Sequence, residues 1–166
     1  MTTPEIPYTI RNANLEDVDA ILLMEDAAFP EGSNTGPRHL SRDIQEHAPS
    51  VKLAILDDEI VGSVRGALHA SRIAEGRCYG DIASLSVAPD HRRHGLGGLL
   101  LQEMIAEMMP ENPTGIILHT RVSNVAMQGL AKKHGFVVEQ TRDNYYCRTS
   151  LPEDAYMMIR RFTDNE

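Results

Sequence analysis

Residues 84–101 read Ser-Leu-Ser-Val-Ala-Pro-Asp-His-Arg-Arg-His-Gly-Leu-Gly-Gly-Leu-Leu-Leu. A β-prone run ends at Val87, Pro89 breaks it, and a turn holding Gly95, Gly97 and Gly98 leads straight into an amphipathic stretch. Glycines let a backbone approach a ligand closely. The first turn of a helix adds N–H groups with no intrahelical acceptor and a partial positive charge. Together these make an anion site suited to phosphate or diphosphate, with the amides of Gly95, Leu96, Gly97 and Gly98 as donors. Arg92, Arg93 and His94 add cationic side chains, although a purely structural turn has the same composition. Two nucleotide patterns fail on inspection. No Lys-Ser or Lys-Thr follows the glycines as a P-loop requires, and Gly95-Leu96-Gly97-Gly98-Leu99-Leu100 lacks the third glycine of GxGxxG.

Other residues could carry proton chemistry. His119 stands in a β-prone run, Leu118-His119-Thr120-Arg121, and an imidazole with a pKa near 6.5 accepts protons at neutral pH. A packed strand histidine is the alternative reading. Tyr145 and Tyr146 are adjacent aromatics that a purely structural role would also explain. His91 and His94 are three apart across a turn, but no nearby Cys or His pair completes a tetrahedral zinc set, so no metal is expected. No serine sits in a Gly-x-Ser-x-Gly elbow.

These residues need elements to hold them. Tyr8–Asn12 reads as a first strand. Asn14 looks like an N-cap with Asp17 three residues on, an imperfect capping box. Leu15, Val18, Ile21, Leu22 and Ala28 recur at helical spacing, and Pro30, Gly32, Gly36 and Pro37 end that helix. A weaker helix is expected over about 38–46. Strands are expected at Val51–Leu56 and Ile60–Leu68 as a hairpin around Asp57-Asp58-Glu59, and at Cys78–Val87. A helix over Gly95–Met109, a strand at Gly115–Arg121 and a helix at Ser123–His134 follow, with Gly135 where a left-handed C′ residue is wanted. Phe136–Thr141 and Ala155–Arg161 complete the strands. The crossovers over 78–121 and 115–141 predict parallel pairing at the sheet's centre.

At 166 residues the chain suits one domain, 1–166, able to bury a core without disulfides. A net charge of −8 argues against nucleic-acid binding, where cations must neutralise phosphates. No apolar run approaches the ~20 residues of a membrane span, and no secretory signal is visible. Two distant cysteines read as reduced thiols of a cytoplasmic protein.

The pattern Arg92-x-x-Gly95-x-Gly97 after a strand ending in Val-x-Pro resembles the acetyl-CoA motif of the GNAT superfamily of N-acetyltransferases. Arg121-Val-Ser-Asn124 with Leu130-Ala-Lys-Lys-His-Gly135-Phe136 resembles a later segment of that family. Ala28-Phe29-Pro30, Arg142-Asp-Asn-Tyr145-Tyr146, Glu153-Asp154-Ala155 and Met158 are similar to the RimI-like branch, which acetylates protein N-termini, typically of a ribosomal protein. The resemblance implies an α/β fold with a mixed, mostly antiparallel sheet of six to seven strands, a central parallel pair splayed open, and about four helices. It implies acetyl-CoA as cosubstrate. Its pantetheine arm would pair with the main chain of Leu85, Ser86 and Val87, its diphosphate would meet the Arg93–Gly98 amides, and Asn124 would contact it unless it only caps a helix. Phe29, Pro30 and Tyr145 would meet the acceptor.

The chain departs from that branch in its catalytic residues. Where RimI-like enzymes carry a Glu base in Leu-Glu-Val-Arg and a Tyr acid in Leu-Tyr, this sequence has His119 and Ala131. His119 could replace the base. Tyr145 or Tyr146 could replace the acid, or water could protonate the thiolate, and an α-amine with a pKa near 8 needs little help from a base. Three activities follow. They are acetylation of a protein or peptide N-terminus, acetylation of a small amine, and acyl-CoA binding with little turnover. A monomer or a homodimer fits each.

Overall fold

A computed structural model of the chain describes residues 8–29, 36–46, 50–70, 78–147 and 152–162. The elements in order are β1 (Thr9–Asn12), α1 (Val18–Ala28), α2 (Pro37–Glu46), β2 (Ser50–Leu56), β3 (Glu59–Ala70), β4 (Cys78–Val87), α3 (Leu96–Met108), β5 (Gly115–Arg121), α4 (Val125–Lys133), β6 (Val137–Arg142) and β7 (Ala155–Arg161). The predicted first helix is divided. Leu15–Asp17 forms a 3-10 turn before α1 begins. Asn14 accepts from Glu16 N at 2.8 Å while Asp17 Oδ2 accepts from Asn14 N at 2.8 Å, so the capping box is complete. Arg11 completes the corner through a two-pronged pair with Asp17, both contacts at 2.7 Å.

The strands form one seven-stranded sheet in the order β1-β2-β3-β4-β5-β7-β6. Every neighbouring pair is antiparallel except β4 and β5. The parallel pair expected from the 78–121 crossover therefore forms. The one suggested by 115–141 does not, because β7 inserts between β5 and β6. β7 pairs with β5 from Arg121↔Ala155 to Gly115↔Arg161, and with β6 on its other side. The reason is burial: Met158 and Ala155 are fully buried in β7, whereas every residue of β6 is exposed, so the more apolar strand takes the inner place.

Helix α3 covers one face of the sheet. Leu96, Leu100, Leu101 and Met104 are at most 1% exposed and pack with Val64, Ile82, Ile116, Leu118 and Met158. Each such side chain contributes about 1.5–3 kcal/mol through removal from water. Close approach depends on glycine in the facing strands. A Cβ on Gly66 would lie 2.6 Å from Met108 Cε, and one on Gly80 2.7 Å from Met108 Sδ. Helices α1 and α2 cover the other face with Val18, Ile21, Leu40 and Ile44 against Val51 and Leu53.

Candidate functional site

Between β3 and β4 the register runs Ala67↔Asp81, Gly66↔Ile82, then Arg65↔Ser84, leaving Ala83 as an extra residue. Such a bulge bends its strand and increases its twist. On its other side β4 pairs with β5 only through Gly80↔Ile116, Asp81↔Ile117 and Ile82↔Leu118. β4 then runs on through Ala83–Val87, roughly 16 Å at about 3.3 Å per residue, with no strand partner on its β5 side. The sheet is split there, and the split widens toward the start of α3.

The turn at the wide end is built by backbone strain and side-chain pins. Arg93 and Gly95 have φ of 69° and 82°, and Gly95 is the left-handed N-cap of α3. Leu99 N donates to Gly95 O at 3.1 Å, so the amides of Leu96, Gly97 and Gly98 have no acceptor within the helix. Nothing lies within 4 Å of a Cβ built on Gly95. Unbonded amides at the helix start, with Gly95 exposed and Gly97 and Gly98 half-buried, beside a gap the length of an extended arm fit a ligand with a diphosphate and an amide-rich tail.

Several side chains serve differently from the sequence-based expectation. Gly97 and Gly98 lie inside α3, not in the turn. A Cβ on Gly97 would meet Leu130 at 3.2 Å and one on Gly98 would meet His134 Nε2 at 3.2 Å, so both glycines let α3 pack closely on α4 and its C-terminus. Leu96 is buried and can offer only its amide. Arg92 does not point its guanidinium at an anion. Nε donates to Val87 O at 3.0 Å and Nη2 to Ala28 O at 3.1 Å, which ties the end of α1 to the end of β4. The side chains of Arg93 and His94 remain exposed. Ser86 departs from the expectation: its side chain is buried and hydrogen-bonded to Ser63 Oγ at 2.8 Å, and the alternation set by Ala88 N on Val61 O turns its main chain toward β3, leaving Leu85 and Val87 to face the split. Asn124 caps α4, Oδ1 accepting from Met127 N at 3.0 Å, which leaves its amide NH₂ as a donor. Phe29 closes α1 in extended conformation, beside the Ala28 carbonyl that Arg92 holds. Pro30 lies outside the described residues.

At the narrow end, His119 is the first β5 residue beyond the last parallel rung. Tyr145 stacks on it with ring centroids 4.6 Å apart and planes 8° from parallel. Tyr146 meets Tyr145 edge-on at 5.1 Å, and Arg121 Cζ lies 4.3 Å from the centre of the Tyr146 ring. The loop carrying the tyrosines is clamped by Glu153 and Asp154. Glu153 accepts from Ser123 N and Oγ and pairs with Arg121 at 3.3 Å, its main-chain carbonyl accepts from Tyr146 N at 3.0 Å, and Asp154 Oδ1 accepts from Asn144 N at 2.7 Å. Burial pushes His119 below the ordinary imidazole range, with Arg142 acting the same way and Asp81 opposing. Burial likewise pushes both phenols up, so at neutral pH the site holds a neutral imidazole beside protonated tyrosines. Among the described residues no cluster of three or more His, Cys, Asp or Glu side chains could hold a metal ion.

Sequence reasoning missed Asp81. It shares the sheet face of His119, because it pairs with Ile117 and His119 lies two residues on. The available signal was an isolated acid within a strand of otherwise uncharged residues, Cys-Tyr-Gly-Asp-Ile-Ala-Ser-Leu-Ser-Val.

Residues 18–136 match the family described as Acetyltransferase (GNAT) family. An N-alpha-acetyltransferase of Sulfurisphaera tokodaii is 32% identical over 157 residues, covering 91% of each chain. The [Ribosomal protein bS18]-alanine N-acetyltransferase of Escherichia coli is 37% identical over 75 residues, 45% of this chain and 51% of that one. Arabidopsis thaliana Naa50, solved in complex with the bisubstrate analogue CoA-Ac-MVNAL, superposes with a TM-score of 0.79 at 23% identity over 93% of this chain and 99% of that chain.

Proposed function

The chain belongs to the acetyltransferase (GNAT) family, and on that premise we propose that it acetylates the α-amino group of protein or peptide N-termini, with acetyl-CoA as the donor. The observation that carries this reading is the split between β4 and β5. It runs from the α3 amides to His119, so a diphosphate at one end places a reactive group at the other. The full-length similarity to an N-alpha-acetyltransferase supports the choice of acceptor.

Acetyl-CoA supplies an acetyl group activated as a thioester. The amides of Arg93, His94, Gly95, Leu96, Gly97 and Gly98 would hold its diphosphate, and the main chain of Leu85 its arm, since Ser86 turns its main chain to β3. Val87 contributes less through its carbonyl, which already accepts from Arg92. Asn124 would donate its free amide. The acceptor would enter past Phe29 and Tyr145. His119, neutral through burial, takes one proton of the acceptor ammonium; Tyr145, protonated because its phenol is raised, donates to the departing sulfur and regains a proton from the second N–H lost as the amine becomes an amide. Tyr146 holds Tyr145 edge-on from the position that Glu153 and Arg121 fix.

The test is CoA release from purified protein, acetyl-CoA and a panel of N-terminal peptides, with small amines and polyamines run beside them. Turnover on peptides and a fall of about 100-fold in kcat for His119→Ala, with CoA affinity unchanged, are expected. Silence across a broad peptide panel would overturn the acceptor assignment, and turnover on small amines alone would replace it.

A further inference from the structure

We propose that Asp81 is the positioning residue of the transfer site: it stands diagonally from His119 across the last rungs of the β4–β5 pair and steadies the imidazolium formed when His119 takes the acceptor's proton. The inference rests on the reading of His119 as the base. Asp81 takes no proton in this step. The proton passes from the acceptor ammonium to the His119 imidazole, which becomes a cation and later returns the proton to solvent.

The placement of Asp81 has three parts. It precedes Ile82, the last β4 residue with a β5 partner, as His119 follows Leu118, so the two flank the vertex of the split. Its direct cross-strand neighbours, Ala67 on β3 and Ile117 on β5, are uncharged. The basic residues nearby on β3, Arg65 and His69, act on Asp81 through charge and make contacts with other side chains. Arg65 pairs with Asp43 of α2 at 3.6 Å, and His69 stacks on Tyr79 with centroids 5.2 Å apart. A half-buried carboxylate in a central strand needs a cation or a donor. His119 becomes that cation at the step that requires it.

The charges around the pair agree. Burial raises the Asp81 carboxyl above the usual range, while His119, His69 and Arg65 pull it back. His119 faces Asp81 from β4, Arg142 from the end of β6 and Tyr145 from the loop beyond, with Arg121 on its own strand and the uncharged Met157 across on β7. Helix α1, which packs on β3 and β4, brings the buried Glu25.

Titration of the His119 imidazole by NMR in the full chain, without ligand, tests the pairing directly. Asp81→Asn should lower the midpoint by about one pH unit, since an anion that favours the charged form is gone. It should also lower kcat about tenfold on an acetyl-CoA and peptide pair, move the acid limb of the kcat profile down with the midpoint, and leave KM for acetyl-CoA within about twofold. Asp81→Glu should restore most of both. Should Asp81→Asn fail to fold, Asp81→Ser removes the same charge. An unmoved midpoint in a folded variant overturns the proposal, as does a loss of melting temperature with the midpoint and pH profile unchanged. If His119→Ala instead keeps its rate, the base assignment falls, and the midpoint still reports whether the two side chains are coupled.

Discussion

The imidazole of His119 and the phenol of Tyr145 lie face to face, 4.6 Å between centroids and 8° from parallel. Stacking covers the imidazole face without using its ring nitrogens, which stay in the plane and available to an acceptor. It also removes water from the ring, the main reason that the charged form is disfavoured. One contact thus joins the proposed base to the loop that carries the proposed acid.

Tyr145→Phe and Tyr145→Ala separate these two roles. Phenylalanine keeps the stack and loses the hydroxyl, so kcat should fall about 10- to 100-fold with the His119 titration unmoved. Alanine also exposes the imidazole, whose midpoint should rise toward about 6.5. A higher midpoint means that His119 protonates earlier on acidification, so the acid limb of kcat/KM should shift to higher pH. Rate profiles of the two variants check both statements.

The glycines of the turn differ in what they permit. Gly95 has φ of 82°, so Gly95→Ala should destabilise by about 1–2 kcal/mol and weaken CoA binding, although a Cβ there meets open space. Gly98→Ala would meet only the end of the His134 side chain and gains helix propensity, so its melting temperature should stay near that of the parent. Thermal melts and calorimetric titration with CoA distinguish the pair.

Arg92 and Arg93 are adjacent yet should behave differently. Arg92→Ala removes two hydrogen bonds to main-chain carbonyls, at Val87 and at Ala28, and should destabilise by about 1 kcal/mol with CoA affinity within about threefold. Arg93→Ala should weaken CoA binding more, by an amount that shrinks with added salt. Calorimetry across a salt series checks the contrast.

Asp17 links stability to pH. The hydrogen-bonded pair with Arg11 holds its carboxyl below the usual range, with the Asn14 amide acting the same way and burial opposing. Because the folded value is depressed, this stabilisation is complete above the unfolded pKa of about 3.9 and is lost as pH falls through the folded value. Asp17→Asn should abolish that acid-limb dependence and lower stability by about 1 kcal/mol at neutral pH. Denaturant melts from pH 2 to 7 measure both.

Much of the fold was legible because its signals are local. Cys78–Val87, Gly115–Arg121 and Ala155–Arg161 form at the expected bounds. Side-chain alternation and the prolines and glycines around these segments act over a few residues. The capping box at Asn14 and Asp17 and the left-handed Gly135 are equally short-range. The turn before α3 was legible for the same reason, since its glycines and arginines lie in one run of consecutive residues.

The sequence alone therefore determined which segments are strands and helices, that a glycine turn leads into α3, and that His119 and Ala131 stand where the RimI-like pattern has a base and an acid. Only tertiary structure decided that β7 separates β5 from β6, that Arg92 reaches back 64 residues to Ala28, and that Asp81 shares a face with His119. It also gave Gly97 and Gly98 to helix packing. Those facts depend on pairing between residues far apart in the chain. Register and burial set that pairing, and a strand's own pattern names the side chains on each of its faces without naming the neighbour they will meet.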